Sequence, residues 1–215
     1  MKKINWKILI STSIICILPI LLGIVFYKFI PNQVAIHFDI SNNPNSYMNK
    51  NIVLFGFPII ISLMQIICCI LNDLNKSQDI KIPKVEYVYK SILPIISVVA
   101  YITTLSIALG TQLDVRRIVC FLVGFIFILI GNYIPKTSST YTHGIHPYSF
   151  IKNEQLYKKF NRLMGYSFVI LGVLLIISIF FDSKYSAYAV LITIAITIIE
   201  SLYFIKLSKS CTKQI

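Results

Sequence analysis

Residues 8–29 read ILISTSIICILPILLGIVFYKF, and this run decides the class of the fold. Lys28 is its only charged residue. An α-helix needs about 20 predominantly apolar residues to cross the hydrocarbon core of a bilayer, and this stretch supplies them. Lys2, Lys3 and Lys7 precede it. The run is too long for the apolar part of a secretory signal, and no small-x-small cleavage pattern follows. It reads as a retained signal-anchor helix.

Five further runs follow the same rule: Ile52 to Leu71, Ser91 to Leu109, Ile118 to Ile134, Gly165 to Phe181, and Ser186 to Ile205. The composition agrees, with 56% hydrophobic and only 13% charged residues, where soluble domains carry about a quarter charged. The expected fold is therefore an all-α integral membrane protein with about six transmembrane helices. The net charge of +12 would suit a nucleic-acid partner, but the charges lie at the edges of the apolar runs. The bilayer is the partner they imply, with no direct contact to nucleic acid.

Orientation follows from the Lys and Arg bias between connecting segments. With the N-terminus inside, the inner segments hold Lys2, Lys3 and Lys7; Lys76, Lys81, Lys84 and Lys90; Lys136, Lys152, Lys158, Lys159 and Arg162; and Lys206, Lys209 and Lys213. The outer segments hold only Lys28, Lys50, Arg116, Arg117 and Lys184. Both termini are thus expected in the cytoplasm. Trp6, Tyr27, Tyr133 and Tyr203 fall near span ends, as interfacial aromatics do. Pro19, Pro58 and Pro94 should kink their helices. Residues 17–20 (ILPI) recur at 92–95, either a repeat of the transporter kind or a coincidence in an Ile-rich chain.

Three connecting segments carry content. In the first outer loop, 31–51, Val34, Ile36, Phe38 and Ile40 alternate with Ala35, His37 and Asp39, the period of a half-buried strand. Asn42 to Ser46 reads as a turn, and Lys50 returns the chain to the membrane. A docking edge for an external peptide and a small cap on the helix ends both fit this pattern. The inner segment 72–90, with Asp73, Lys76, Asp79, Lys81, Lys84 and Glu86, reads as a solvated linker. The inner segment 135–164 is richer. His143 to Tyr148 forms a compact turn, Asn153 can cap a helix, and Glu154 suits its first turn. Leu156, Phe160 and Leu163 share a face, as in an interfacial amphipathic helix leading into the fifth span.

Chemistry of a catalytic kind has little to stand on. Cys16, Cys68, Cys69 and Cys120 lie inside apolar runs and Cys211 in the tail, which implies no disulfide framework. His143 and His146 are too few for a metal site, and no metal or cofactor is expected. No H-E-x-x-H, phosphate-binding glycine loop or G-x-S-x-G occurs, so an enzyme is not expected. Glu200 is the only acid well inside a span. It is either an ion or proton site, or a structural group reaching toward the inner interface.

The stretch Gly131-Asn132-Tyr133-Ile134-Pro135, then Gly144-Ile145-His146-Pro147-Tyr148-Ser149-Phe150, then Asn153-Glu154, Tyr157, Arg162 and Gly165 resembles the SdpI family. These are immunity proteins against a secreted sporulation-delaying toxin of Gram-positive bacteria. His146 stands where that family has Arg, and Tyr148 and Tyr157 where it has Trp. Ile30-Pro31, Ile36-His37-Phe38 and Lys50 are similar to a domain of unknown function that often precedes the SdpI region. The resemblance implies two membrane regions, 1–110 (spans 1–3 with loop 31–51) and 111–215 (spans 4–6 with loop 135–164). It also implies a bacterial cell-membrane protein that protects its cell from a membrane-active peptide and signals by binding a cytoplasmic transcriptional repressor. The toxin site is then expected at His37, Phe38, Asp39 and Lys50. The inner partner site is expected at Gly144, Ile145, His146, Pro147, Tyr148, Asn153, Glu154 and Arg162. A small ion-coupled transporter using Glu200, or an accessory membrane subunit, is the alternative.

Overall fold

The structure, a computed structural model, describes residues 4–75, 83–136 and 154–212. Among these, six helices are long and apolar enough to cross a membrane: Trp6–Phe29, Ile52–Leu74, Glu86–Ala108, Val115–Lys136, Tyr157–Ser178 and Ser183–Tyr203. They match the six expected spans to within a few residues at most ends. Ile10, Leu21, Val25, Ile59, Ile60 and Leu191 are among many large apolar side chains left exposed on them. On a soluble protein such surfaces would be an interaction or aggregation hazard; here they meet acyl chains. The chain is a multi-pass membrane protein.

The chain divides into two compact units, Met1–Leu74 with Tyr87–Ile118, and Asn75–Glu86 with Val119–Ile215. In the first unit, α1 (Trp6–Ile17) is capped by Asn5, whose side-chain oxygen accepts the Ile8 amide. Pro19 lacks an N–H to continue the ladder, so the helix breaks there and restarts as α2 (Ile20–Phe26). In α4 (Pro83–Ala108), by contrast, Pro94 is accommodated within one unbroken helix. The two ILPI stretches therefore adopt different local structures.

A two-stranded antiparallel hairpin connects the first two spans: β1 (Gln33–Phe38) and β2 (Pro44–Asn49). The strand expected from alternation is present but ends at Phe38. Ile40 lies beyond it and is exposed. Pro44, Asn45 and Ser46, read from sequence as turn residues, instead belong to β2, because the reversal is completed within Asp39–Asn43. There the Asp39 amide donates to the Asn43 carbonyl, and Asn42 takes a left-handed φ of 65°, which Asn tolerates better than most residues. A π-helical turn, Ile52–Gly56, then leads into α3 (Phe57–Asn75).

The core of this unit lies where the hairpin meets the helices. Ile30, Val34, Val53, Leu54, Tyr101 and Leu105 are buried together, with Ile36 and Met48 packed on them. One hairpin face is thus anchored to the helix ends. The Tyr101 hydroxyl donates to the Leu54 carbonyl at 3.3 Å and sits against Gly23, where no side chain has room.

The first turn of α5 (Val115–Tyr133) belongs to the first unit, and the second unit holds the rest of it from Val119 on, with α6 (Glu154–Ser178) and α7 (Ser183–Thr212). Two glycine pairs let α5 and α6 touch backbone to backbone. A Cβ on Gly124 would lie 2.7 Å from the Gly172 carbonyl, and one on Gly131 would lie 2.7 Å from that of Gly165. Small residues at such crossings let lipid-embedded helices approach closely. The amphipathic interfacial helix expected near Asn153 is not a separate element. α6 runs unbroken from Glu154 into the span, and its buried face carries Tyr157 and Asn161, while Leu163 is exposed.

Candidate functional site

Of the residues expected to meet a peptide, His37 is exposed on β1, and its Nδ1 lies 2.6 Å from Asn45 Oδ1, so the ring N–H donates across the strand pair. Asp39 is spent on the turn, its Oδ1 accepting the Asn43 amide at 2.8 Å. Lys50 points inward. Its ammonium lies 3.3 Å from the Ile30 carbonyl and 3.5 Å from that of Tyr27, and 4.3 Å above the Tyr27 ring. It ties the end of the first span to the start of the second rather than presenting a free charge. Phe38 is half-buried and faces a cleft.

That cleft, of about 630 Å³, is the feature that the sequence did not disclose. It is lined by Phe38 and the turn residues Ser41 to Pro44 on one side, and by Ile107 and Gly110 to Asp114 on the other. Asn42 joins the two sides. Its Nδ2 donates to the Leu113 carbonyl, and its Oδ1 accepts the Val115 amide, both at 2.9 Å. Asp114 caps α5 by accepting the Arg117 amide and pairs with both Arg116 and Arg117 at 3.0 Å. Burial by itself would raise the Asp114 carboxyl. The hydrogen bonds from Arg116 and Arg117, with their two positive charges, outweigh it and hold the group below its ordinary value.

A second polar cluster occupies the opposite end of the same unit, and it corrects the linker reading of 72–90 at its two ends, 76–82 lying outside the described residues. Asp73 and Lys90 are helical and buried, and so is Glu86. Lys90 Nζ bonds Asp73 Oδ1 at 2.6 Å, with both side chains almost fully enclosed, and Asp73 Oδ2 accepts the Asn5 amide. Gln65 donates to Thr12 Oγ1 at 2.9 Å and to the Lys90 carbonyl at 2.8 Å. Buried charge is tolerated when it is paired and hydrogen-bonded in this way. The cluster ties the chain's start, α3 and α4 together.

Gly144, Ile145, His146, Pro147, Tyr148 and Asn153, as well as His143, lie outside the described residues. Glu154 is exposed, and Lys158 bonds its carboxylate at 2.6 Å; that hydrogen bond and the accompanying charge lower its pKa. Arg162 is exposed on α6. Glu200 sits on α7, bonded by Ser167, with Oε2 buried and without a partner among the described residues. No cluster of three or more potential metal ligands occurs among the described residues.

A model for a domain of unknown function, DUF1648, matches residues 14–61, from the last turn of α1 through the Pro19 break and the hairpin to the start of α3. Over 195 residues, 91% of this chain and 92% of the relative, the chain is 22% identical to Immunity protein SdpI of Bacillus subtilis (strain 168). It is 40% identical over 48 residues to Uncharacterized membrane protein YbgB of the same organism, covering 22% of this chain and 45% of that one. No solved structure matches significantly. The resemblance first read from two loops thus extends along both chains: this is a six-span membrane protein similar over nearly its whole length to an SdpI-type immunity protein, with DUF1648 in its N-terminal part.

Proposed function

We propose that the chain sits in the bacterial cell membrane with both termini in the cytoplasm and protects its cell from a secreted, membrane-active peptide of the sporulation-delaying type. The similarity to an immunity protein along 91% of the chain carries this reading. The role is non-enzymatic. In it, region 1–110 meets the peptide outside the cell through the hairpin, with His37 and Phe38 as its contact residues and Asp39 and Lys50 shaping the loop. Region 111–215 reads the event out inside the cell, where Gly144 to Tyr148, Asn153, Glu154 and Arg162 engage a cytoplasmic transcriptional repressor.

The test is protection. The chain is expressed in a sensitive Gram-positive host, the sporulation-delaying toxin is added, and membrane potential and survival are followed. Cells that hold their potential only when the chain is present support the reading. Equal depolarisation, with the chain confirmed in the membrane, refutes it.

A small ion-coupled transporter is the second reading, favoured by the Oε2 of Glu200, buried within a span and without a partner among the described residues. Intramembrane carboxylates often mark ion or proton paths. That reading requires solute flux in vesicles that Glu200→Gln abolishes, and unaltered flux discards it.

A further inference from the structure

The cleft between the hairpin turn and the segment before α5 has a donor pattern that suits one class of ligand. At its far wall, the Thr111 amide donates to the Ser106 carbonyl, and the Val115 amide to Asn42. Between them, the amides of Gln112, Leu113 and Asp114 find no acceptor among the described residues. Backbone N–H groups are obligatory donors, so these three require water or a ligand. The one carboxylate in the lining, Asp114, is already engaged by Arg116 and Arg117. Apolar surface comes from Phe38, Pro44, Ile107 and Leu113. Gly110, at φ +93° and with no atom within 4 Å of where a Cβ would stand, leaves one end of the wall open.

Consecutive main-chain donors beside apolar patches, with no unpaired charge in the lining itself, match a peptide backbone carrying apolar side chains. An inorganic ion or a nucleotide would lack a charged partner here. The volume of about 630 Å³ falls within the range of ligand sites, roughly 300–1,000 Å³. The walls are also set in advance, because Asn42 bonds both the carbonyl of Leu113 and the amide of Val115, which lowers the ordering cost of binding.

We propose that this cleft seats a short, extended, apolar segment of the peptide against which the protein protects. The peptide's carbonyls accept from the amides of Gln112 to Asp114, and an apolar side chain rests on Phe38 and Ile107. This rests on the immunity reading and its external hairpin, and it moves the expected site from the exposed strand face, His37 and Asp39, to the turn and the 110–114 segment.

The experiment uses the full chain in nanodiscs with the sporulation-delaying toxin as probe, alongside the protection assay. Ser41→Trp and Thr111→Trp fill the cleft from opposite walls at exposed positions. Gln112→Pro removes an amide that bonds no acceptor among the described residues, while Gln112→Ala keeps it. Thermal melting and membrane level confirm that each variant folds. Both Trp variants should weaken binding by about tenfold or more and lose protection, Gln112→Pro by about fivefold, and Gln112→Ala hardly at all. Raising salt to about 0.5 M should leave binding nearly unchanged, since no charge pair carries it. If the folded Trp variants bind and protect like the parent chain, the cleft is not the seat, and the immunity reading survives. If the parent protects without binding the toxin directly, the same holds. A parent chain that neither binds nor protects overturns both.

Discussion

The Oδ1 atom of Asn42, at the tip of the hairpin, accepts the amide of Val115 at 2.9 Å across 73 residues of sequence. This bond, with its companion to the Leu113 carbonyl, makes a turn in the first connection the cap of a helix in the third. Asn42→Gly keeps the left-handed backbone accessible while deleting both bonds. We expect a local loss of about 1–2 kcal/mol, read as faster hydrogen exchange at Val115 and in the hairpin turn, with the helix cores unchanged. Unaltered exchange would mean that the latch contributes nothing.

The buried pair of Asp73 and Lys90 predicts a different pattern. Lys90→Met takes the ammonium away from the Asp73 carboxylate in a nearly closed site, and Asp73→Asn takes the carboxylate's charge away from the Lys90 ammonium. Each should cost about 3–5 kcal/mol, visible as a large drop in melting temperature in detergent. Making both changes should cost less than the sum of the two, because the bond between them can be lost only once. Additive losses would show that the two groups do not act as a pair.

The glycine crossings should be intolerant of volume. Gly131→Ala places a methyl group 2.7 Å from the Gly165 carbonyl and 2.9 Å from Phe168 Cβ. Helix backbones must separate to admit it, at a cost of about 1–3 kcal/mol. Gly56→Ala meets only the Ile52 side chain at 3.4 Å and serves as the mild comparison. Equal melting temperatures for the two variants would contradict the close crossing.

Asp114 gives a pH dependence with a definite sign. Its carboxyl lies below its ordinary value in the folded chain, so its contribution is complete above the usual carboxylate range. That contribution disappears as pH falls through the depressed folded value. Protection of the Arg117 amide, corrected for intrinsic exchange, should therefore hold from neutral pH to about 5 and fall only in stronger acid. Asp114→Ala, which removes the acceptor, should show low protection throughout. A loss beginning near neutrality would assign the effect to another group.

Topology can be checked with an impermeant thiol reagent on intact cells, in a background lacking native cysteines. Ser46→Cys in the hairpin and Ser183→Cys before α7 should react from outside, and Ser77→Cys only after lysis. The reverse labelling would invert the proposed orientation.

Within the motif that carried the resemblance, Gly131 and Gly165 now have a physical role: each is the point where α5 and α6 meet. Their seven-residue spacing from Gly124 and Gly172 is visible in the sequence, but a pattern of glycines four apart on one helix does not capture it. The solvated reading of Asp73 and Lys90, at the two ends of 72–90, failed for a related reason. Asp73 and Lys90 look solvated in a linear count of charge, and only their partners show otherwise.

The membrane class, the six spans and the first strand of the hairpin were legible from the residues alone. Hydropathy and local periodicity specify them, and these act over one helix length or a few residues without a distant partner. The pairing of polar groups and the opening of a cleft were not legible in this way. Asn42 with Val115, Asp73 with Lys90, and Gly131 with Gly165 are each set by long-range packing. Their stability depends on a partner far along the chain, and nothing in the residues next to them specifies that partner.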